Sequence, residues 1–251
     1  MNNRNYQYGF SATHPEAMFN PQARERKAAT ILAVLRDYFS VDLESLTLLD
    51  IGTSAGFMAN YLSSHFAKVI GIDIDLPAVL HAVKTSKKKK LLFAVADSLN
   101  ICLPDEVIDV AICTHVYEHV PNAIRLMEEI HRVLKPNGIC YFAAGNRMQL
   151  IEPHYHLPLL SVVPRPLAHL YIRLAGKGKF YYEKHLSYWK LKRLVHKFEL
   201  IDYTRLIVDN PSQFSATYML EPGATKTKIA QWVVKHAFWL CPSYIWILKK
   251  L

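Results

Sequence analysis

The chain has 251 residues, 51% of them hydrophobic and 20% charged, which is enough apolar material for a buried core and excludes a disordered chain. Thirty Lys and Arg against 21 Asp and Glu leave a formal charge of +9, which favours an anionic partner (nucleic acid, membrane surface or small anion) without choosing among them. Cys102, Cys113, Cys140 and Cys241 form no Cys-x-x-Cys pair, no segment reaches the roughly 20 apolar residues of a membrane span, and residues 1–10 lack a signal-peptide core; a reducing, cytoplasmic setting is expected, with Cys102, Cys113 and Cys140 as buried thiols.

Residues 1–20 read as an irregular arm. From Pro21 the pattern turns helical, with Ala28, Ile31, Leu32, Leu35 and Phe39 on one face. Strands and helices then alternate. Strands are predicted over 46–51, 68–73, 91–96, 107–114 and 139–144, and helices over 55–66, 77–86 and 123–134. The lysines at 87–90 read as a solvated turn, and Lys135-Pro136-Asn137-Gly138 as another turn. The strands are apolar runs without alternation, as burial on both faces demands. The pattern predicts an α/β fold, a doubly wound and mostly parallel sheet with helices on both sides.

Residues 146–183 break this rhythm with prolines, histidines and large apolar groups. They are predicted to form a cap inserted over the carboxyl end of the sheet. A helix over 186–198, an antiparallel strand pair over 200–208 and 213–220, a helix over 225–240 and a Trp/Tyr/Ile tail complete the chain. One domain over 1–251 accommodates all of it: arm and helix 1–45, core 46–145, cap 146–185, last helix and strand pair 186–220, amphipathic tail 221–251.

The chemistry concentrates after the predicted strands. Leu48-Leu49-Asp50-Ile51-Gly52-Thr53-Ser54-Ala55-Gly56 is a strand, a tight glycine turn and a helix start. Gly52 lets the backbone turn sharply and lets a ligand approach. The Asp-x-Gly-x-x-x-Gly spacing differs from the Gly-x-Gly-x-x-Gly of dinucleotide enzymes. Asp73 ends the second strand, where a carboxylate can accept both hydroxyls of a ribose; Asp75 suits a helix cap instead. Asp97 follows the third strand and can accept from an exocyclic amine. Thr114-His115-Val116-Tyr117-Glu118-His119-Val120 follows the fourth. These points share the sheet edge at which open α/β folds bind ligands.

In this order, the motifs between Leu48 and Gly145 resemble the class I (Rossmann-like) S-adenosylmethionine-dependent methyltransferases. Tyr117-Glu118-His119-Val120 is similar to a segment of their ubiquinone/menaquinone-type small-molecule branch. The resemblance implies S-adenosylmethionine as cofactor and a seven-stranded sheet whose last pair includes an antiparallel strand. It implies a cofactor site of Asp50, Gly52, Thr53, Ser54, Gly56, Asp73, Ile74, Asp97, Ser98 and Thr114. Ser54 stands where the family usually has glycine, which is compatible with the turn if its φ is negative.

Methyl transfer requires a nucleophile held in line with the donor carbon, and a hydroxyl nucleophile needs a base. His115, His119, His154, His156 and His185 are available. His119, His154 and His156 are the expected catalytic candidates. For His119 a structural or cofactor-side role competes, and for His154 and His156 plain packing or surface exposure competes. No metal site is expected, because only Glu152 lies near the His154/His156 pair.

The loop after the fourth strand has neither an Asn/Asp-Pro-Pro-aromatic motif nor a Pro-Cys nucleophile, which leaves a small-molecule, sugar or lipid-linked acceptor at oxygen or carbon. Leu157, Leu159, Leu160, Leu167 and Leu170 with Arg165, Arg173, Lys177 and Lys179, and in the tail Trp232, Trp239, Tyr244 and Trp246 with Lys235, Lys249 and Lys250, mix apolar and basic groups as interfacial segments do. Contact with a membrane surface stands beside packing on the core or on another subunit. A nucleic-acid methyltransferase is disfavoured, since the compact lysine run lacks interleaved aromatics. A non-catalytic cofactor-binding protein remains an alternative, and the oligomeric state is left open.

Overall fold

The computed structural model describes residues 7–13, 20–86 and 88–251; the rest of the predicted arm and Lys87 lie outside the described residues. Helix α1 (Phe10–Thr13) precedes α2 (Pro21–Tyr38), which starts with Pro21 in its first turn and Asn20 capping the amide of Ala23 at 3.1 Å. The alternating segment follows as β1 (Thr47–Ile51), α3 (Phe57–Leu62), β2 (Lys68–Asp73), α4 (Leu76–Thr85), β3 (Leu91–Val95), β4 (Ile108–Thr114), α5 (Ala123–Val133) and β5 (Leu134–Gly145). The cap contains the short hairpin β6 (Ile151–Glu152) and β7 (Leu157–Pro158), then α6 (Arg165–Leu174). The chain ends with α7 (Tyr188–Leu194), β8 (Phe198–Asp202), α8 (Tyr203–Asp209), α9 (Thr225–His236) and β9 (Ser243–Lys250).

The main sheet has seven strands in the order β3-β2-β1-β4-β5-β9-β8, parallel except where β9 pairs antiparallel with β5 and β8. Successive strand residues face opposite sides. In β1, Leu48 packs in the layer of α2 and α3 with Ile31, Leu35 and Leu62, while Leu49 and Ile51 pack in the opposite layer with Ile130, Val133 and Leu191. Both faces are therefore covered, and truncating a residue such as Leu49 should cost about 2–5 kcal/mol.

Three expectations need correction. The strand pair over 200–220 is only half present. After β8 the Asp202 carboxylate accepts the amide of Thr204 at 3.0 Å and starts α8, and 213–220 is turn structure. The seventh strand is instead β9, drawn from the presumed tail. Tyr244, Trp246, Ile247 and Leu248 are buried between two neighbouring strands, so their aromatic and β-branched run marks a central strand. The turn at 135–138 is absorbed into β5 as an irregularity in its register with β4, with Asn137 at φ +62°. Cys102 is exposed, whereas Cys113, Cys140 and Cys241 are buried free thiols.

The cap has its own small core of Tyr155, Leu160, Ala168, Ile172 and Tyr181. Two threads fasten it to the sheet edge. The Tyr117 hydroxyl donates to the Gly145 carbonyl and accepts the Leu186 amide, and the Lys184 amide donates to the Glu118 carbonyl at 2.8 Å.

Candidate active site

The turn after β1 has positive φ at Gly52 (+75°) and Gly56 (+77°). A Cβ at Gly52 would lie 2.7 Å from Val116 Cγ2, so the close approach to the segment after β4 requires glycine. Gly52 and Thr53 donate their amides to the Ile72 carbonyl at 2.9 and 3.0 Å, and the Ser54 amide donates to Asp73 Oδ2 at 2.8 Å. Ser54 itself sits at φ +52°, not at the negative φ expected. It holds the left-handed conformation that glycine takes freely, and the hydrogen bond to Asp73 offsets that local strain.

Asp50, at the carboxyl end of β1, is fully buried. Its Oδ2 accepts the Thr53 hydroxyl at 2.8 Å, and its Oδ1 has no hydrogen-bond partner among the described residues. Burial pushes its pKa up to about 6; the Thr53 hydroxyl and the positive charge of Arg24 pull it down, and Asp73 adds to the rise. Arg24, from the first turn of α2, is electrostatically coupled to both Asp50 and Asp73, which counter the lowering of its pKa by burial. A buried carboxylate oxygen left unused can accept from a hydrogen-bond donor of a ligand.

Asp73 ends β2 with Oδ1 on the Asp75 amide at 2.9 Å and Oδ2 on Ser54. Burial raises its pKa against these bonds. The Ile74 amide is a third backbone donor to this carboxylate, which still has acceptor capacity for a ligand hydroxyl. Asp75 caps α4 as expected, accepting the Ala78 amide, and also takes the Ser11 amide at 2.6 Å. Asp97 follows β3 and accepts the Leu99 amide at 3.0 Å. Ile74, Ser98 and Thr114, like Asp73 and Asp97, are half-buried at the same edge. All ten residues of the expected cofactor site thus stand at the carboxyl ends of β1 to β4.

Beside this edge lies a cluster that joins the loop after β4 to the cap. His115 Nδ1 is 3.1 Å from Glu118 Oε1. His154 Nδ1 is 2.7 Å from Glu152 Oε1, and His185 Nε2 is 3.4 Å from the same oxygen. His119 Nδ1 is 3.9 Å from Glu183 Oε1, and its ring meets that of His154 edge to face at 4.8 Å. The Gln7 side chain donates to the His119 carbonyl, and Phe10 packs on its ring. Glu152 Oε2 also accepts the amides of His154 and Tyr155 at 2.8 Å, which fixes the carboxylate in the turn.

The side chains of Glu118, Glu152 and Glu183 are 1%, 0% and 0% exposed. Against their burial, His115, His119 and His185 hold Glu118 down to about 2, and hydrogen bonds from His154, His185 and Tyr155 hold Glu152 down to about 2. Burial drives His119 down to about 4. For His154 burial works downward, but the Glu152 hydrogen bond and three carboxylate charges leave it raised.

Of the expected catalytic histidines, His119 and His154 come together and His156 does not. The i, i+2 spacing would place both cap histidines on one face of an extended strand, but the chain turns here. His156 has φ +55°, donates its amide to the Glu152 carbonyl at 2.8 Å, and is exposed. Glu152, the one carboxylate expected near the His154/His156 pair, joins His154 but not His156, and histidines and glutamates from elsewhere in the chain gather around it. His119, His154 and Glu183 place one ligand-capable atom each within 4.8 Å of one another, as do Glu152, His154 and His185. Glu183 and His185 come from the far end of the cap, which local spacing cannot reveal. Arg24 carried no sequence signal at all.

A family described as "Methyltransferase domain" matches residues 49–142. The Ubiquinone biosynthesis O-methyltransferase of Photobacterium profundum is 31% identical over 104 residues, covering 40% of this chain and 44% of that protein. An uncharacterized methyltransferase of Mycobacteroides abscessus is 27% identical over 136 residues, covering 53% of this chain and 52% of its own. The chain thus spans about half the length of the curated relatives it matches. Among solved structures, the plantazolicin methyltransferase, in complex with a monoazolic desmethyl analog and SAH, superposes with a TM-score of 0.61 at 20% identity, over 96% of this chain and 89% of that one. A SAM-dependent methyltransferase from Methanosarcina mazei gives 0.56 at 18% identity, over 87% and 97%. These two likenesses concern the fold.

Proposed function

We propose that this class I S-adenosylmethionine-dependent methyltransferase delivers the methyl group to an oxygen of a small-molecule or lipid-linked acceptor, with a carbon nucleophile as the variant. Bound S-adenosylmethionine supplies an activated methyl group on a sulfonium. The residues present suit it: the free Oδ1 of Asp50 for the amino-acid ammonium, the glycine turn for close approach, Asp73 for the ribose hydroxyls and Asp97 for the adenine amine. The observation that carries the oxygen assignment is the imidazole–carboxylate cluster at the sheet edge beside the turn. It offers the proton acceptors that a hydroxyl nucleophile needs and that an amine at neutral charge does not. The ubiquinone relative, named for O-methylation, supports the same choice.

The test is transfer of radiolabelled methyl from S-adenosylmethionine to a panel of phenolic, sugar and carbon-acid acceptors. Oxygen-linked product from the wild type and at least a tenfold loss in His154→Ala support the reading. Labelling of amines alone, or of RNA, overturns it. Cofactor binding without turnover on any acceptor returns the protein to the class of binding proteins.

A second observation favours an acceptor at a membrane surface. In α6, Ala168 and Ile172 are buried in the cap, while Leu167, Leu170 and Leu174 form an exposed apolar stripe. Arg173, Lys177 and Lys179 are exposed around it. Arg165 is not part of this surface, because its guanidinium donates to the carbonyls of Tyr181 and Tyr182 at 3.1 and 2.8 Å. In the tail, Tyr244 and Trp246 are core residues, which leaves Trp232 and Trp239 as its exposed aromatics. No helix among the described residues is long and apolar enough to cross a membrane. A basic, leucine-striped helix fits the interface of an anionic bilayer. Co-sedimentation with phosphatidylglycerol-containing vesicles, reduced in Leu170→Glu and by high salt, supports this; equal recovery with and without vesicles overturns it.

A further inference from the structure

We propose that His119, His154 and Glu183 bind a divalent first-row transition metal ion, with Glu152 orienting His154 and one coordination position left open for an oxygen of the acceptor. The proposal rests on the oxygen-acceptor reading only for the role of that open position; the binding of the ion stands by itself.

The ligand-capable atoms of the three residues already lie within 4.8 Å of one another. Ligands 2.0–2.1 Å from a tetrahedral zinc ion are about 3.3 Å apart, so small rotations of the side chains suffice. With His154 Nδ1 held by Glu152 Oε1, its other ring nitrogen is the one left to ligate. This carboxylate–histidine–metal arrangement is the usual way a protein fixes the tautomer and orientation of a ligating imidazole. Glu152 is in turn fixed by the amides of His154 and Tyr155 and by His185. Two histidines and one glutamate leave a tetrahedral ion one ligand short, as catalytic sites do.

Charge and hydrogen bonding point the same way. Buried carboxylates are paired with cations or coordinate metals. No Lys or Arg pairs with Glu118 or Glu152 among the described residues; their partners are imidazoles. Glu118 Oε2 and His185 Nδ1 are buried without hydrogen-bond partners. Both residues converge on Gly145, where a Cβ would meet His185 Nδ1 at 3.1 Å and Glu118 Oε1 at 3.6 Å. Mixed imidazole and carboxylate donors suit Zn²⁺ and its first-row neighbours over Mg²⁺ or Ca²⁺. With an ion bound, His119 and His154 would be ligands in place of proton acceptors, and an acceptor hydroxyl in the open position would lose its proton to solvent near neutral pH, because the ion would stabilise the alkoxide or phenolate.

The experiment is calorimetric titration of the chelator-treated full chain with ZnCl₂, alongside the visible absorption of the wild type with Co²⁺. One equivalent of Zn²⁺ should bind at micromolar affinity or tighter, with intense Co²⁺ bands. His154→Ala and Glu183→Gln should weaken binding at least 100-fold and Glu152→Gln about 10-fold, while the exposed His156→Ala should match the wild type. S-adenosylmethionine binding by each protein reports separately on the methyltransferase fold. Wild-type protein that binds S-adenosylmethionine but neither Zn²⁺ nor Co²⁺ overturns the metal site and leaves the methyltransferase reading intact. Zn²⁺ affinity unchanged in folded His154→Ala and Glu183→Gln also overturns it. If those variants fail to fold, the wild-type Co²⁺ spectrum decides: bands of tetrahedral or five-coordinate type support the site, and an octahedral aquo spectrum overturns it.

Discussion

The amide of Ser54 donates to Asp73 Oδ2 at 2.8 Å, so the turn after β1 is closed by a side chain from the end of β2. Asp73 therefore shapes the glycine turn in addition to its proposed role as acceptor for the ribose hydroxyls. Asp73→Ala should lower S-adenosylmethionine affinity by 10- to 100-fold, more than loss of a single hydroxyl contact, and Asp73→Asn should retain part of it. Isothermal titration checks both; full affinity in Asp73→Ala would remove the residue from the cofactor site.

Ser54 holds φ +52° at a cost that glycine does not bear. Ser54→Gly relieves that cost but loosens the unfolded chain, and the two effects are of similar size. Its unfolding free energy should lie within about 1 kcal/mol of the wild type, with cofactor affinity retained. Ser54→Val, β-branched at a left-handed position, should lose about 1–3 kcal/mol. Urea unfolding of the pair separates backbone strain from any contact made by the hydroxyl.

Asp50 holds its proton up to about pH 6 in the native state, against about 3.9 when unfolded. Between those values the native state carries more protons, so unfolding free energy falls as pH rises from about 4 to about 6 and then levels off. Asp50→Asn keeps an acceptor for Thr53 and removes the buried charge. Without cofactor it should exceed the wild type in stability by up to about 3 kcal/mol near neutral pH and lose this pH slope, while binding S-adenosylmethionine less tightly. Denaturant unfolding across this pH range is the measurement, and parallel slopes for the two proteins would contradict it.

Trp246 is 1% exposed, stacks on Tyr244 and belongs to the strand between β5 and β8. Trp246→Ala should cost about 3–5 kcal/mol. Trp232→Ala, on the exposed face of α9, should stay within about 0.5 kcal/mol. Thermal unfolding of the two variants distinguishes a core strand from an interfacial tail; similar losses, or none, would speak against the strand.

The gathering of the expected cofactor residues at one sheet edge was legible because it is local. Asp50, Gly52, Asp73 and Asp97 each sit a fixed few residues past an apolar strand, and parallel alternation puts those ends on one side. The seventh strand was not legible, because its run 243–250 pairs with β5 and β8, and nothing near it in the chain names those partners. The residues over 203–209 have the apolar content of a strand, but Asp202 caps them into a helix. His119 was marked by its motif and His154 by its neighbour. Their joining to Glu183 and His185 depends on the cap folding back across 146–185, which periodicity does not encode.

The placement of β9 also constrains the order in which the molecule is built. Its partners β5 and β8 are complete by residue 202, yet β9 joins them only through residues 243–250. On a ribosome, the edge of β5 from Ile139 to Gly145 therefore waits with open backbone groups and buried-type side chains while about a hundred further residues are added, a span of roughly 5–20 seconds at ordinary synthesis rates. During that interval the nascent chain presents a template for wrong strand pairing. Yield in vivo should therefore depend on holdase capacity and on the pace of elongation through the last helix.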